Sequence, residues 1–164
     1  SIISNKYGID KVKRNKYCKN KKVSKLSIVT LSNGIPFNVK LYNGNRNDAF
    51  IFMDHVEDNL INIDKKNIKI FMADKGYDSI KIKNYLTKNN INYLIPQNKR
   101  NTKNNSKIIN MTPKDKIKYK KRIKVENMFQ KIKSFRRLNI RYDKYSENYM
   151  SFLWLGLSHI IMNI

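Results

Sequence analysis

The chain predicts an α/β protein in which a mixed sheet is flanked by helices. Three observations carry that class. Leu26, Ile28 and Thr30 alternate ahead of Ser32-Asn33-Gly34, and Ile35, Phe37, Val39 and Leu41 alternate after it, which is the strand period on both sides of a hairpin turn. The apolar run Ile68-Lys69-Ile70-Phe71-Met72-Ala73 is followed by a helical stripe of Ile82, Tyr85 and Leu86 and by a second short run, Asn92-Tyr93-Leu94-Ile95-Pro96. Strand, helix and strand in that order default to a parallel crossover. A basic amphipathic stretch from about Asp115 to Phe135 and an apolar stretch from Tyr149 to Met162 then read as helices that cover the sheet.

From the beginning, Ser1 to Asn20 mixes Lys and Arg with scattered Tyr and Ile and shows no period. It reads as an exposed segment, either a solvated loop or an arm that tracks a nucleic-acid backbone. After the hairpin, Asn43-Gly44-Asn45-Arg46-Asn47-Asp48 breaks the second strand. Asp48 is placed to cap a helix carrying Ala49 to Met53, Val56 and Leu60. His55 lies near Asp54, Glu57 and Asp58 with no second His at ligand spacing, so these residues read as a polar helix face. Asp74 ends the buried run, Lys75-Gly76-Tyr77 turns the chain, and Asp78 or Ser79 caps the next helix. Gln97 to Ile109 is polar and basic; it reads as a loop, either without function or one that orders on DNA. Trp154 is the bulkiest member of the terminal run expected to close the core.

A chain of 164 residues with 40% apolar content is one domain's worth and can bury a core. Lys and Arg number 35 against 12 Asp and Glu, a net charge of +23. Such a charge repels itself unless a polyanion neutralises it, and nucleic acid is the partner that fits. The lysines are spread along the whole chain and not gathered on one amphipathic helix, which argues against a membrane surface. Cys18 is the only cysteine, so no intrachain disulfide forms. With no visible secretory signal, an intracellular, reducing location is expected rather than secretion. The run from Met150 to Ile164 is shorter than the roughly 20 residues of a spanning helix and is interrupted by Ser151, Ser158, His159 and Asn163. The opening at Ser1 suggests a fragment.

On a helical wheel of about 100° per residue, Tyr119, Arg122, Glu126 and Lys133 fall at roughly 0°, 300°, 340° and 320°. One narrow stripe thus carries a carboxylate, two cations and a phenol. Ile117, Val125, Met128, Phe129 and Ile132 gather on a neighbouring arc that would face a core. Alone, a Glu between Arg and Lys is more often a helix-face ion pair. An Asp after a strand is more often a turn residue, although ligand groups do gather at the carboxyl ends of such strands. The spacing Tyr119-x2-Arg122-x3-Glu126-x6-Lys133 nevertheless resembles the Tyr-Arg-Glu-Lys signature of bacterial insertion-sequence transposases of the DDE type. Ala73-Asp74-Lys75-Gly76-Tyr77-Asp78-Ser79 resembles their second-aspartate motif. The similarity also takes in Lys25 to Gly34, Asn43 to Asp48, Phe135-Arg136-Arg137 and Arg141-Tyr142-Asp143-Lys144, and so covers nearly the whole chain.

This resemblance implies an RNase H-like fold and a DDE transposase catalytic domain over residues 1–164. In that family two aspartates and a glutamate hold two divalent ions, Mg²⁺ or Mn²⁺. Two such ions about 3.5–4 Å apart need anionic oxygen ligands, and Mg²⁺ prefers them. By the resemblance Asp74 is the second aspartate and Glu126 the glutamate, both catalytic and both metal ligands. Tyr119, Arg122, Lys133, Arg136 and Arg137 are the implied DNA contacts. The first aspartate is expected before Ser1, with the first strand missing from the chain. Asp10 and Asp48 match no such position; Asp48 falls on a separate Gly-x-x-x-Asp element in which Asn47 replaces the usual His. The implied partners are double-stranded DNA, both element ends and target, and a second copy of the chain, since two ends must be held together. The expected activity is metal-dependent strand cleavage and strand transfer. The alternative is a catalytically dead remnant or another non-catalytic basic nucleic-acid-binding protein.

Overall fold

A computed structural model of the chain describes residues 1–59, 68–98 and 111–163. In chain order the elements are strands β1 (Ile2–Asn5), β2 (Lys13–Asn15), β3 (Lys21–Thr30) and β4 (Pro36–Asn43), helix α1 (Asp48–Asn59), strand β5 (Ile70–Met72), helix α2 (Ile80–Lys88), strand β6 (Asn92–Leu94), helices α3 (Pro113–Tyr119), α4 (Ile123–Ser134) and α5 (Arg136–Asn139), strand β7 (Ile140–Arg141) and helix α6 (Ser146–Met162). They divide into two compact units, Ser1–Arg46 with Ile123–Ile164, and Asn47–Arg122. Leu60 and the part of the expected basic loop beyond Asn98 lie outside the described residues.

In the first, or sheet, unit the described residues form a five-stranded mixed sheet. β3 pairs antiparallel with β1, β2 and β4, and β1 pairs parallel with β7. The predicted hairpin is β3–β4. Its loop is closed by Leu31 N–H donating to Ile35 O at 2.9 Å and by Gly34 N–H donating to Leu31 O at 2.9 Å. Gly34 adopts φ 95°, so this is a three-residue loop whose left-handed position suits glycine. Register sets Ile3 opposite Ser24, Leu26 opposite Leu41 and Ile28 opposite Val39, which puts the apolar members on one face. That face packs against Met128 and Ile132 of α4, Leu138 of α5, and Tyr149, Leu153, Leu157 and Ile160 of α6.

A buried polar cluster ties the first loop to the last third of the chain. Arg141 is fully buried. Its guanidinium donates to Asp10 O at 2.8 Å, Asp10 Oδ1 at 2.5 Å, Asp143 O at 3.0 Å and Lys144 O at 3.0 Å. Asp10 Oδ2 accepts from the Ser146 N–H at 3.1 Å and from the Ser146 hydroxyl. Burial pushes the Asp10 carboxyl up, but the bonds from Ser146 and Arg141 outweigh it and hold it below its ordinary 3.8. Burial also pushes the Tyr149 phenol well above its ordinary value, and its hydroxyl donates to Leu138 O at 2.7 Å.

The second, or crossover, unit is the predicted strand, helix, strand. β5 and β6 are parallel, with Phe71 opposite Tyr93. Phe52 and Val56 of α1 and Ile82 and Leu86 of α2 form its core with Ala73, Ile91 and Ile95. Phe52 meets the rings of Phe71 and Tyr85 edge-on at 5.1 and 6.1 Å. α2 ends in a reversal in which Asn90 takes φ 56°, Asn90 N–H donates to Thr87 O and Ile91 N–H donates to Leu86 O. This is the Schellman arrangement, with Asn where Gly is commoner.

Several expectations are corrected. Ser1 to Asn20 is not an irregular arm, because β1 and β2 lie in it and Ile3 is fully buried; the described chain therefore opens with a strand of the sheet. The helix expected over about 115–135 is broken by a 3₁₀ turn at Lys120–Arg122. Its sequence sets like charges four apart at Lys114/Lys118, Lys116/Lys120, Lys118/Arg122 and Lys120/Lys124, which oppose a continuous helix. Ile117, expected to face a core, is 68% exposed on α3. Trp154, expected inside, is 48% exposed, and Phe37 is 40% exposed. His55, read as part of a polar face, is buried. Asp48 is not the cap of α1: Asn47 Oδ1 accepts the Ala49 N–H at 2.7 Å.

Candidate active site

In the crossover unit β5 is followed by the buried Ala73, whose N–H still donates to Leu94 O at 3.3 Å. Asp74 then leaves the ladder as an exposed residue. Its Oδ1 accepts the Gly76 N–H at 2.7 Å, an Asx turn that starts the 3₁₀ turn Lys75–Tyr77. Gly76 lies against two carboxylates: a methyl group there would be 2.9 Å from Asp48 Oδ2 and 3.0 Å from Asp74 Oδ1, so both side chains would have to shift. Asp48, in the first turn of α1, therefore brings a second carboxylate beside Asp74. Reading Asp48 as a cap missed this; the Gly-x-x-x-Asp element was the signal available. Asp78 is buried; its Oδ2 accepts the Asn98 N–H at 2.7 Å and it pairs with Lys83. Ser79 stands at the helix cap without a side-chain bond.

The first half of the signature supports this turn. Thr112 caps α3 by accepting the Asp115 N–H at 3.2 Å and donating to Asp115 Oδ2 at 2.7 Å, with Pro113 in the first turn. α3 ends at Tyr119, whose hydroxyl donates to Ala73 O at 3.1 Å. The phenol is thus bonded to the peptide that precedes Asp74. Arg122 Cζ stands 5.5 Å from the centre of the Tyr119 ring, within cation–π range.

The second half of the signature belongs to the sheet unit. Glu126 is exposed in the first turn of α4, and Lys133 is exposed in its last turn. Seven residues apart, they share a helix face, while Met128 and Ile132 anchor the opposite side in the core. A carboxylate at the start of a helix and a cation at its end also suit the helix dipole. Arg136 and Arg137 lie exposed on α5. The Arg137 guanidinium is engaged, donating to Asp143 Oδ1 at 2.7 Å and lying 3.7 Å from the centre of the Phe152 ring. Tyr119, Arg122 and Asp74 thus gather in one unit, and Glu126, Lys133, Arg136 and Arg137 in the other. The four signature residues do not share one continuous helix.

A family model described as a transposase DDE domain matches residues 5–161. The chain belongs to that family. Comparison with curated proteins and with solved structures gives no match. The mixed sheet with its helices fits the RNase H-like architecture of a transposase domain, and such a domain implies DNA as partner. DDE transposases are generally divalent-metal dependent. The donors of this transposase domain fit that requirement in kind, because Asp74 and Glu126 both present hard carboxylate oxygens to solvent. Among the described residues, however, no group of three or more His, Cys, Asp or Glu side chains is placed to hold a metal ion. No helix among the described residues is long and apolar enough to cross a membrane.

Proposed function

We propose that the chain is the catalytic core of a cut-and-paste DNA transposase with the Tyr-Arg-Glu-Lys signature, hydrolysing strands at the ends of a mobile element and joining the freed 3′-hydroxyl to target DNA. The observation that carries this reading is the setting of Asp74: an exposed carboxylate at the carboxyl end of a parallel strand, fixed by its own turn and bonded through Ala73 to the signature tyrosine. Asp74 and Glu126 hold the divalent ions, two of Mg²⁺ or Mn²⁺. When bound, such ions activate water and stabilise the leaving oxygen. Arg122, Lys133, Arg136 and Arg137 neutralise phosphates near the cut end, with Tyr119 as a contact beside them. The substrate is double-stranded DNA, a homodimer holds two ends, and the protein works inside the cell, where that DNA is.

A second reading, a DNA-binding remnant without catalysis, draws on the same net charge of +23 that supports DNA binding. Nicking of supercoiled plasmid carrying element ends, with Mg²⁺ or Mn²⁺ and with EDTA, separates the two. In a full-length version, catalysis predicts metal-dependent nicking that Glu126→Gln abolishes while DNA affinity is kept. Binding with no nicking by that full-length version supports the remnant. Nicking retained by Glu126→Gln sinks the role given to Glu126.

A further inference from the structure

In the sheet unit the ends of β1 and β2, the start of β3 and the turn entering β3 border an open cleft of about 540 Å³ lined by Lys6, Arg14, Lys19, Lys21 and Lys22, with Val23 among its apolar members. All five cations are exposed, and no acidic side chain lines the cleft. On a chain of net charge +23, cations gathered without a carboxylate repel one another until an anion enters.

The backbone bears on the same point. Lys19 and Asn20 adopt φ 51° and 56° in succession, a left-handed pair that glycine or asparagine takes easily and lysine does not. A cation is held at the cleft where turn geometry favours glycine, and such outliers gather at functional sites. The turn is fixed from outside: Asn15 Oδ1 accepts the Tyr17 N–H at 2.9 Å, and Asn15 Nδ2 donates to Gly44 O at 2.6 Å. Tyr17, 88% exposed in this turn, adds an aromatic face to the cationic rim.

We infer that this cleft seats the phosphodiester backbone of duplex DNA, as a surface additional to Arg122, Lys133, Arg136 and Arg137. It engages phosphates and so positions the duplex without reading its sequence. The inference rests on the DNA partner of the family and not on the roles of Asp74 or Glu126, so either can fail alone.

The test is a triple variant, Lys19→Gly with Lys21→Thr and Lys22→Thr, because glycine relieves the left-handed position and threonine suits a strand. Fluorescence anisotropy on a random-sequence duplex of about 20 base pairs across a salt series reads how many phosphates the protein neutralises, each worth about 0.9 in the slope of log K against log salt. The expected result is a slope flatter by about 0.9 for each phosphate that the variant no longer neutralises, and binding at least about tenfold weaker at low salt. A comparison triple of equal charge change on exposed positions of the other unit, Lys69→Ala, Lys81→Ala and Lys88→Ala, changes the slope by less than half as much. An unchanged slope in the cleft triple, or equal flattening in both triples, overturns the inference. Lys19→Gly alone guards against misfolding: it is expected to melt no lower than the parent and to bind more weakly, and full-strength binding by a folded Lys19→Gly overturns the part given to Lys19.

Discussion

Asp10 and Asp74 are both loop aspartates preceding a turn, yet the chain treats them in opposite ways. Asp10 places both carboxylate oxygens on donors, the Arg141 guanidinium and the Ser146 amide and hydroxyl. Asp74 accepts one backbone N–H and leaves the rest of its carboxylate exposed beside Asp48. The first is committed to holding the sheet unit together. The second is held in place by its surroundings, through Gly76 and the Tyr119–Ala73 bond, and keeps acceptor capacity for something else. What an acid does is decided by which of its lone pairs the fold has already occupied.

The largest effect that would sharpen this contrast is expected from Arg141→Leu. Arg141 is fully buried, and its removal leaves Asp10 Oδ1 and the carbonyls of Asp10, Asp143 and Lys144 without the guanidinium that donates to them. Removing one partner of such a cluster costs about 3 kcal/mol, measurable by urea denaturation. A destabilisation below about 1 kcal/mol would mean that the cluster does not hold the unit, and the contrast with Asp74 would fail on its structural side.

A smaller effect follows from acid. Because the folded carboxyl of Asp10 titrates below its ordinary 3.8, its stabilisation is fully present above that value and is lost as pH falls through the folded pKa. Denaturation midpoints in an acidic pH series should show this component in the parent chain and not in Asp10→Asn. Identical acid profiles for the two proteins would show that Asp10 is not titrating as the buried cluster requires.

The sequence made the local parts of this picture legible. Asn33-Gly34 between alternating runs announced the hairpin, and an apolar run ending sharply at Asp74 announced the parallel strand and its turn. Parts built from distant residues were not legible. β1 is four residues long with one fully buried side chain, Ile3, and it is a strand only because β3 and β7 flank it. Arg141 meets Asp10 131 residues away, and Tyr119 meets Ala73 46 residues away; no local period records either. Trp154 went astray because Phe152, Leu153, Trp154, Leu155 and Leu157 make α6 apolar nearly all round, so no stripe marks its buried side. In the signature, spacing was read on an ideal wheel, and a crowd of cations broke the helix between Tyr119 and Glu126.

The smallest stability effect carries the most information about the site. Asp74→Asn keeps an oxygen to accept the Gly76 N–H and removes only the charge at an exposed position, so stability should stay within about 0.5 kcal/mol of the parent. Metal-dependent nicking should disappear, since an amide oxygen is a weaker ligand for a hard cation than a carboxylate. Running urea denaturation and plasmid nicking on the same preparation separates the three roles an aspartate can have here. A destabilisation above about 1 kcal/mol would make Asp74 a structural residue of the same kind as Asp10. Unchanged stability with unchanged nicking would leave it an ordinary turn aspartate, and the metal would have to be held elsewhere. Only unchanged stability with abolished nicking matches a carboxylate that the fold positions and does not itself use.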